Sequence, residues 1–576
     1  MSRNLVDNGQ RRGQGEVTAE VDPGNWGGDM RRLSMLGVAA LITAGSILTA
    51  PAATAGETTF RPVRTCADLV RTYDVPGATT HVETATVVPA TATEPENCDV
   101  RGYVEPAVRF QLRLPTKTYA GRYLQFGCGG FCGVVTTPPF ADCGLPHGGD
   151  VAVAATDDGH VGKTPAVVDD GKWAENDQAA RDDFAFRAPH VVSKASKRLI
   201  TAFYGAPPRK SYFSGCSDGG REALLLAQRY PHDFDGIVAG APAGYWGPLL
   251  GVYQTWLAKV NTGADGKPIL TADKLPALHA AALSSCDKSD GLGDGAIDDP
   301  RTCRFDPATI ACPPGTDNAG CLTAAQVAAT KKIYAPPTDE RGRKLYPGGQ
   351  TIGSELSWYG WIIPSPETGG IPFAHALADN YLKYMAYPIG TPHSSVEKFA
   401  FTSREFDRLT PEGIRSNAMS TDLREFRRAG GKLVIWHGWA DQAIPAAGSI
   451  DYYERLTRAN GGPAATANWA RLFMVPALYH CATGDKLTEY DPLKELVSWV
   501  ERGTAPDRTI ATGRDADGKV FRTRPVFPYP LQAKYDGTGS VDDAANFVPV
   551  PPSRPSHDLV NWAGNGLYGK AGPVAP

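Results

Sequence analysis

The stretch of this sequence best suited to chemistry is Gly215-Cys216-Ser217-Asp218-Gly219, which has the pattern Gly-x-Ser-x-Gly. An aromatic, strand-like run precedes it and residues dense in helix formers follow it, so we expect Ser217 on a sharp turn from strand to helix. Such a turn exposes the serine Oγ as a nucleophile and points the free N–H groups of the new helix at the attacked atom. Without those flanking elements, the same five residues would be equally consistent with a flexible loop.

A serine hydroxyl needs a base to remove its proton, and two later residues complete such a set. Asp441 comes just after the strand-like run 432–438, and His480 follows the run 471–476. The order serine, acid, histidine is the one expected on an α/β sheet with a nucleophile turn, whose active site lies beyond the strand ends. We therefore expect His480 to act as the base and Asp441 to orient its imidazole. His557, in the tail, is the weaker alternative.

Two cysteines adjoin this set, because Cys216 precedes the serine and Cys481 follows the histidine. If serine and histidine face one another, these cysteines lie on matching sides, so we expect a disulfide that holds the distance between Ser217 and His480. The chain has 11 cysteines, and an odd number leaves at least one free or intermolecular thiol. A zinc site is the competing interpretation, but the chain contains no Cys-x-x-Cys pair.

The surrounding runs predict the α/β fold class. Residues 57–115 mix short β-rich runs with turns, which indicates antiparallel strands, and 150–156 is a continuous apolar run of the kind buried in a parallel sheet. A helical pattern over 178–203 precedes the nucleophile strand. Helices that alternate with strands in this way are typical of a doubly wound sheet.

A glycine-rich loop, 127–133, directly follows another predicted strand. Loops of this kind bring a backbone N–H close to a developing oxyanion, and we expect Gly130 to supply that donor. Gly129 is the adjacent alternative, and a simple hairpin turn would explain the segment equally well.

Strand-like runs become rare after residue 243, where proline, glycine and aromatic residues increase, and they resume near residue 426. We therefore divide the chain into four parts. These are 1–55, an N-terminal extension with a signal peptide; 56–243, the first part of the α/β core; 244–425, an inserted lid domain; and 426–576, the second part of the core with a C-terminal tail. A tandem domain is the alternative, and the resumed strand argues against it.

Charge and the N-terminus bear on partners and location. The formal net charge is −4, without a polybasic surface for nucleic acid. Arg31 and Arg32, an apolar run over 36–48 and a small-x-small site at 53–55 predict a signal peptide with a mature start near Gly56. We favour a translation start at Met30, and a start at Met1 with an unusual polar extension is the alternative. The apolar run is shorter than the roughly 20 residues of a membrane-spanning helix, the alternative here. We expect a secreted protein without a membrane anchor.

The sequence resembles the tannase and feruloyl esterase family, which has Cys-Ser, Asp and His-Cys in this order. The residues that carry the resemblance are Gly215-Cys216-Ser217-Asp218-Gly219-Gly220, Asp441 and His480-Cys481. The resemblance runs from about residue 60 to 500. It implies an α/β-hydrolase core with an inserted lid, and it implies that the backbone N–H of Asp218 is an oxyanion donor. This chain departs from the family at 128 and 132, where cysteines interrupt a run that is usually plain glycine.

Residues 286–296 carry three aspartates separated by glycines. By composition alone this would be a solvated acidic turn, but the resemblance implies a structural Ca²⁺ in the lid, since hard cations bind several oxygens on a tightly curved backbone. The implied ligands are the side chains of Asp287, Asp290 and Asp294 and the carbonyls of Leu292 and Ala296. The pairs Cys286–Cys303 and Cys312–Cys321 would hold this loop.

The predicted function is that of a secreted serine carboxylester hydrolase that cleaves esters of aromatic, phenolic acids through an acyl-enzyme on Ser217. Aromatic residues of the lid, such as those at 358–361, could contact the aromatic acyl group, although we expect most of them in the lid core. A peptidase or lipase on the same fold is one alternative. A non-catalytic, calcium-stabilised secreted binding protein is another, and the complete set of Ser217, Asp441 and His480 argues against it.

Overall fold

The computed structural model describes residues 59–575 apart from 93, 136–148, 164–168 and 554–557. The predicted signal peptide, Cys143 and His557 lie outside the described residues. Within the described ranges, no helix has the length and apolar character needed to cross a bilayer.

A ten-stranded mixed sheet forms the framework, with strand order β1-β2-β3-β4-β6-β5-β7-β8-β9-β10. The described strands are β1 Thr72–Tyr73, β2 Thr80–Val88, β3 Asn97–Val104, β4 Val108–Pro115, β5 Arg122–Phe126, β6 Val151–Thr156, β7 Lys210–Cys216, β8 Gly236–Gly240, β9 Lys432–Gly438, β10 Ala470–Val475, β11 Glu489–Tyr490, β12 Thr509–Arg514, β13 Val520–Val526, β14 Gln532–Tyr535 and β15 Phe547–Val550. Strands β1 to β4 are antiparallel to one another and β6 is antiparallel to β4, whereas the pairs β6–β5, β5–β7, β7–β8, β8–β9 and β9–β10 are parallel.

Helices cover the parallel half of the sheet. The described α-helices are α1 Gln178–Asp182, α2 Ala188–Tyr204, α3 Asp218–Arg229, α4 Gln254–Val260, α5 Leu275–Cys286, α6 Ala324–Tyr334, α7 Phe373–Asn380, α8 Ser403–Ser416, α9 Arg424–Arg428, α10 Ala446–Ala459, α11 Pro463–Thr466 and α12 Leu493–Arg502. Strand β6 is buried along its whole length because both faces of the sheet are covered, as its continuous apolar run predicts.

The chain leaves the main sheet after β8 and returns to it at β9. The intervening residues, 241–431, carry α4 to α9, and the predicted lid domain, 244–425, falls within them. We call residues 241–431 the insertion. Because β8 and β9 are adjacent and parallel, the insertion leaves the sheet at the carboxyl end of β8 and returns at the amino end of β9, on the opposite edge.

The C-terminal part of the chain differs in one helix boundary from what the sequence predicts. The run from Leu487 to Trp499 predicts a closing helix, but α12 begins at Leu493, so that prediction is wrong for 487–492. Pro492 precedes the helix, and Asp491 accepts a hydrogen bond from the Leu493 N–H at 2.9 Å. The sequence predicts that the proline-rich tail after residue 524 wraps the surface; this tail contains β14 and β15, and in the preceding β13 the exposure of the side chains alternates over residues 521–524.

Candidate active site

Ser217 stands alone between β7 and α3, on the predicted turn. Its backbone has φ 64° and ψ −119°, a region that residues with a side chain rarely adopt. Two hydrogen bonds hold it there, since its N–H donates to Gly240 O at 3.0 Å and its carbonyl accepts from the Ala243 N–H at 2.9 Å. The strained turn points the Oγ away from the sheet and into a cleft.

A chain of hydrogen bonds joins the three residues predicted to act together. His480 Nε2 lies 2.9 Å from Ser217 Oγ, and His480 Nδ1 lies 2.8 Å from Asp441 Oδ2. Asp441 follows β9 and His480 follows β10, so the ends of three parallel strands bring these side chains together. The arrangement has the geometry of a nucleophile, a base and a group that orients the base.

Asp441 is fully enclosed by donors. Its Oδ1 accepts the N–H groups of Ala443 and Ile444, both at 2.8 Å, and its Oδ2 lies 3.2 Å from His437 Nε2. Burial alone would raise the pKa of Asp441, but the neighbouring His480 and His437 outweigh it and hold that pKa well below its usual range. The carboxylate is therefore ionised at neutral pH.

A disulfide joins the two residues next to the serine and the histidine. The Sγ atoms of Cys216 and Cys481 are 2.03 Å apart, and the bond spans 265 positions of the sequence. It ties the end of β7 to the loop after β10, as expected from the positions of the cysteines. This covalent link therefore acts on the two loops that carry Ser217 and His480.

The glycine-rich loop lies against the first turn of α3. The Gly219 N–H donates to Cys128 O at 2.7 Å, and a Cβ on Gly127 would lie 2.5 Å from the Gly219 Cα, so glycine is required at this contact. Gly129 and Gly130 both line the same cleft as the serine. The choice of Gly130 as the oxyanion donor, with Asp218 as the other, stays a prediction.

The cleft is a cavity of about 180 Å³ with a largely apolar wall. Its lining comprises Gly129, Gly130, Ser217, Ala243, Trp246, Leu249, Leu250, Gln254, Trp361, Phe373, Leu377, Ala443, Ile444 and His480. The Gln254 side chain accepts from Trp361 Nε1 at 3.1 Å and donates to Ala443 O at 2.7 Å, so its amide is already engaged. Trp246 and Trp361 belong to the insertion and line the cavity, whereas Trp358 is buried in the core.

The aspartates of the predicted calcium loop share one tight turn. Asp287 Oδ1 accepts the N–H groups of residues 294, 295 and 296 at 3.0 to 3.2 Å. Burial, with Asp294 nearby, raises the pKa of Asp290. Buried Asp298 keeps one oxygen without a hydrogen-bond partner among the described residues. Such a group of hard oxygens fits Ca²⁺.

Basic residues and disulfides border this loop. Arg522 and Arg524 on β13 contact Asp294 and balance part of its charge. Both implied disulfides, Cys286–Cys303 and Cys312–Cys321, are present. Asp294 thereby connects the insertion with the C-terminal strands.

Sequence reasoning missed several features beneath the nucleophile turn. Cys128 and Cys132 form a disulfide within the glycine-rich loop, and Cys66–Cys98 is a further pair. Asp158, Asp218 and Glu222 are fully buried around the Cys128–Cys132 pair. The position of Asp158 just after β6 was the available signal, because residues at the ends of parallel strands gather at one edge of the sheet.

Comparison with known proteins identifies the chain's relatives. Residues 91–550 match the family model described as tannase and feruloyl esterase. The chain belongs to the tannase and feruloyl esterase family. The mono(2-hydroxyethyl) terephthalate hydrolase of Piscinibacter sakaiensis is 34% identical, over 83% of this chain and 89% of that protein. The probable feruloyl esterase B-2 of Aspergillus flavus is 31% identical, over 72% and 80%.

Solved structures of tannase and feruloyl esterase relatives have the same fold. An esterase from Aspergillus oryzae matches with a TM-score of 0.74 and 26% identity, over 84% of this chain and all of that one. Feruloyl esterase B from Aspergillus oryzae matches with a TM-score of 0.71 and 27% identity, over 83% and 98%. The protein is thus a carboxylic ester hydrolase with an α/β-hydrolase fold.

Proposed function

We propose that this esterase is exported and cleaves esters of aromatic, phenolic acids through an acyl-enzyme on Ser217. The hydrogen-bonded chain Ser217–His480–Asp441, opening into an apolar cavity with aromatic walls, is the observation that carries the proposal. The names of the feruloyl esterase relatives agree with it. Five disulfides in the described part of the chain, together with the predicted signal peptide, support export.

Acylation begins when His480 Nε2 takes the proton of Ser217 and the Oγ attacks the ester carbonyl carbon. The carbonyl oxygen becomes an oxyanion, which the N–H groups of Asp218 and Gly130 stabilise. Charged Asp441 stabilises the imidazolium. When the tetrahedral intermediate collapses, the bond to the alkoxy oxygen breaks and His480 gives its proton to the departing alcohol. The products of this stage are the alcohol and acyl-Ser217.

Deacylation repeats the same steps with water as the nucleophile. His480 removes a proton from water, the hydroxide oxygen attacks the acyl carbon, and a second oxyanion forms at the same donors. Collapse of this intermediate breaks the bond to Ser217 Oγ, which recovers its proton from His480. The carboxylic acid leaves, and the resting state is restored.

The cavity wall favours an uncharged aromatic acyl group. In the described part of the chain its lining contains no acidic or basic side chain except His480, and the Gln254 amide is engaged. A carboxylate buried there would lose its hydration without gaining a partner. We therefore expect hydroxycinnamate and hydroxybenzoate esters to be better substrates than a half-ester of a dicarboxylic acid.

Hydrolysis assays on matched esters test this function. We expect the protein to cleave methyl ferulate or methyl gallate, and we expect Ser217→Ala to abolish this activity. The kcat/KM for monomethyl terephthalate should be lower than that for its neutral amide analogue, methyl 4-carbamoylbenzoate. Casein and tributyrin test the peptidase and lipase alternatives. Activity on either of them, without activity on aromatic esters, would overturn the proposed substrate class.

We also propose that the loop 286–296 binds one structural Ca²⁺. The side chains of Asp287, Asp290 and Asp294 and the carbonyls of Leu292 and Ala296 would hold it, and Asp298 lies close enough to add to the negative charge around Asp290 and Asp294. When bound, the ion would neutralise these carboxylates. The loop is in the insertion, and none of its residues lines the catalytic cavity, so we assign it no role in the chemical steps.

A further inference from the structure

Arg221, on the first turn of α3, is wholly buried and uses every donor it has. Two of its N–H groups bind the two carboxylate oxygens of Asp218, the residue whose backbone N–H is the proposed oxyanion donor. The other three donate to Phe184 O at 3.0 Å, Ala185 O at 2.9 Å and Ser416 O at 3.4 Å. A guanidinium can make this set of bonds because its five donors lie in one rigid plane.

The same guanidinium packs against two neighbouring aromatic rings, whose centres are 5.3 Å apart. Its central carbon lies 4.6 Å from the Phe184 ring centre and 5.0 Å from that of Trp246. Trp246 is also part of the cavity wall that would contact the acyl group. Arg221 therefore lies between the substrate cavity and the carboxylate that begins helix α3.

Charge makes this position important. Burial raises the pKa of Asp218 above its usual value, and its ion pair with Arg221 offsets only part of that rise. Buried Asp158 and Glu222 lie near the same carboxylate, so negative charge is concentrated there. Without the guanidinium, Asp218 would lose both hydrogen bonds and its counterion together, and the first turn of α3 would lose the contact that fixes its orientation.

We propose that Arg221 is a positioning residue for ester hydrolysis, which holds the Asp218 N–H on the oxyanion and is itself held by the cavity wall at Trp246. The inference rests on the proposed function, because it takes the Asp218 N–H as an oxyanion donor. Arg221 touches no reacting atom; it acts through the side chain of Asp218. Its loss should weaken binding of a tetrahedral oxyanion more than binding of a planar ligand in the same cavity.

Arg229 provides a matched control on the same helix. It is also buried, and it donates to the carbonyls of Ile414, Arg415, Asn417 and Pro573 at 2.9 to 3.3 Å. None of these acceptors belongs to Asp218, so Arg229→Lys removes a comparable buried guanidinium without touching the proposed oxyanion donor.

The experiment compares Arg221→Lys and Arg229→Lys in the full chain. The readouts are kcat/KM for p-nitrophenyl acetate, inhibition by phenylboronic acid, inhibition by benzoate, and Tm. Phenylboronic acid forms a tetrahedral adduct with an active-site serine, whereas benzoate stays planar. For Arg221→Lys we expect kcat and boronate affinity to fall about 10- to 100-fold, the range of a misplaced catalytic group, with benzoate inhibition unchanged. For Arg229→Lys we expect a lower Tm with the ratio of boronate to benzoate affinity unchanged.

Equal changes of this affinity ratio in the two variants, or an unchanged ratio in Arg221→Lys, would overturn the proposal. If Arg221→Lys does not fold, Asp218→Asn tests the same contact, since the amide keeps the shape but loses the ion pair, and the same selective loss of boronate affinity is expected. A wild-type enzyme that fails on every ester and does not bind the boronate would instead refute the proposed function. Activity on p-nitrophenyl acetate alone would refute only the aromatic substrate class and leave this test intact.

Discussion

At the scale of single residues, Asp441 combines two properties that the imidazole of His480 requires. It is buried, and its surrounding donors keep its pKa well below the usual range, so it is a fixed negative charge 2.8 Å from His480 Nδ1. A neutral amide in the same place would remove the charge and could present an N–H donor to Nδ1, which favours the wrong tautomer.

We therefore expect Asp441→Asn to lower kcat by about 10⁴-fold, while KM changes little. Asp451→Asn is the control, because Asp451 is equally buried but bonds to Tyr568 and Arg455, away from the cavity. Steady-state kinetics with p-nitrophenyl acetate and Tm measurements check both variants. If Asp451→Asn lowered kcat as much as Asp441→Asn does, the loss of activity would reflect reduced stability and not a catalytic role of Asp441.

The residues of the triad could be read from the sequence because each follows a recognisable strand in a known order. The role of Arg221 could not be predicted from the sequence. Three of its five acceptor atoms are backbone carbonyl oxygens, of residues 184, 185 and 416, and every residue type has such an oxygen. The glycines at 127 and 219 are an intermediate case. Their composition predicts a loop, but only their close approach explains why neither has room for a side chain.

At the scale of elements, the Cys216–Cys481 bond connects the strand end before Ser217 with the loop that carries His480. Replacing both cysteines by serine should therefore lower kcat more than the change in Tm would suggest, because the distance between Oγ and Nε2 is no longer fixed covalently. The double replacement of Cys312 and Cys321 is the control, since that pair lies in the insertion and spans 9 positions. Unchanged turnover in the Cys216/Cys481 variant would refute this role.

Helix α5 is attached to the loop after His480 by a buried ion pair. His279 Nδ1 lies 2.8 Å from Glu355, and its Nε2 lies 3.4 Å from Asp485. Burial alone would lower the pKa of His279, but the hydrogen bonds to Asp485 and Glu355 outweigh it and raise the pKa to about 9. The folded state thus holds the proton more tightly than the unfolded state, whose histidine pKa is about 6.5.

It follows that His279 contributes its full stabilisation below about pH 6.5 and loses it as the pH rises through about 9. The size of this contribution is on the order of 3 kcal/mol. We expect the Tm difference between wild type and His279→Gln to be largest near pH 6 and to shrink towards pH 9.5. A difference that stays constant or grows with pH would contradict the assignment; His232→Gln, on a loop outside these contacts, serves as the control.

Most elements of the main sheet could be predicted from sequence, since apolar runs such as 151–156 indicate strands directly. The C-terminal strands could not, because proline interrupts them and their pairing is with one another and not with the main sheet. The start of α12 was misplaced for a similar reason. Leu487 and Tyr490 lie three positions apart and so fit a helical pattern, but residues 489–490 form a strand paired with β12.

At the scale of the whole molecule, the proposed calcium loop links the insertion with the C-terminal strands through Asp294, Arg522 and Arg524. Removal of the ion would leave several carboxylates close together with only partial compensation. We therefore expect chelation to lower Tm and to speed proteolysis within the insertion, with Ca²⁺ restoring both. Loss of activity on chelation without a change in proteolysis would contradict a structural role, and Asp290→Asn should make the protein insensitive to the chelator.

The central claim is that Ser217 is the nucleophile of an esterase whose base is His480. Incubation with a p-nitrophenyl alkylphosphonate, followed by intact-mass measurement and peptide mapping, tests it most directly. We predict release of one equivalent of p-nitrophenol and a single adduct on Ser217. Ser217→Ala should form no adduct, and His480→Ala should form it much more slowly than the wild type. An adduct on another residue, or ester hydrolysis that persists in Ser217→Ala, would contradict the account.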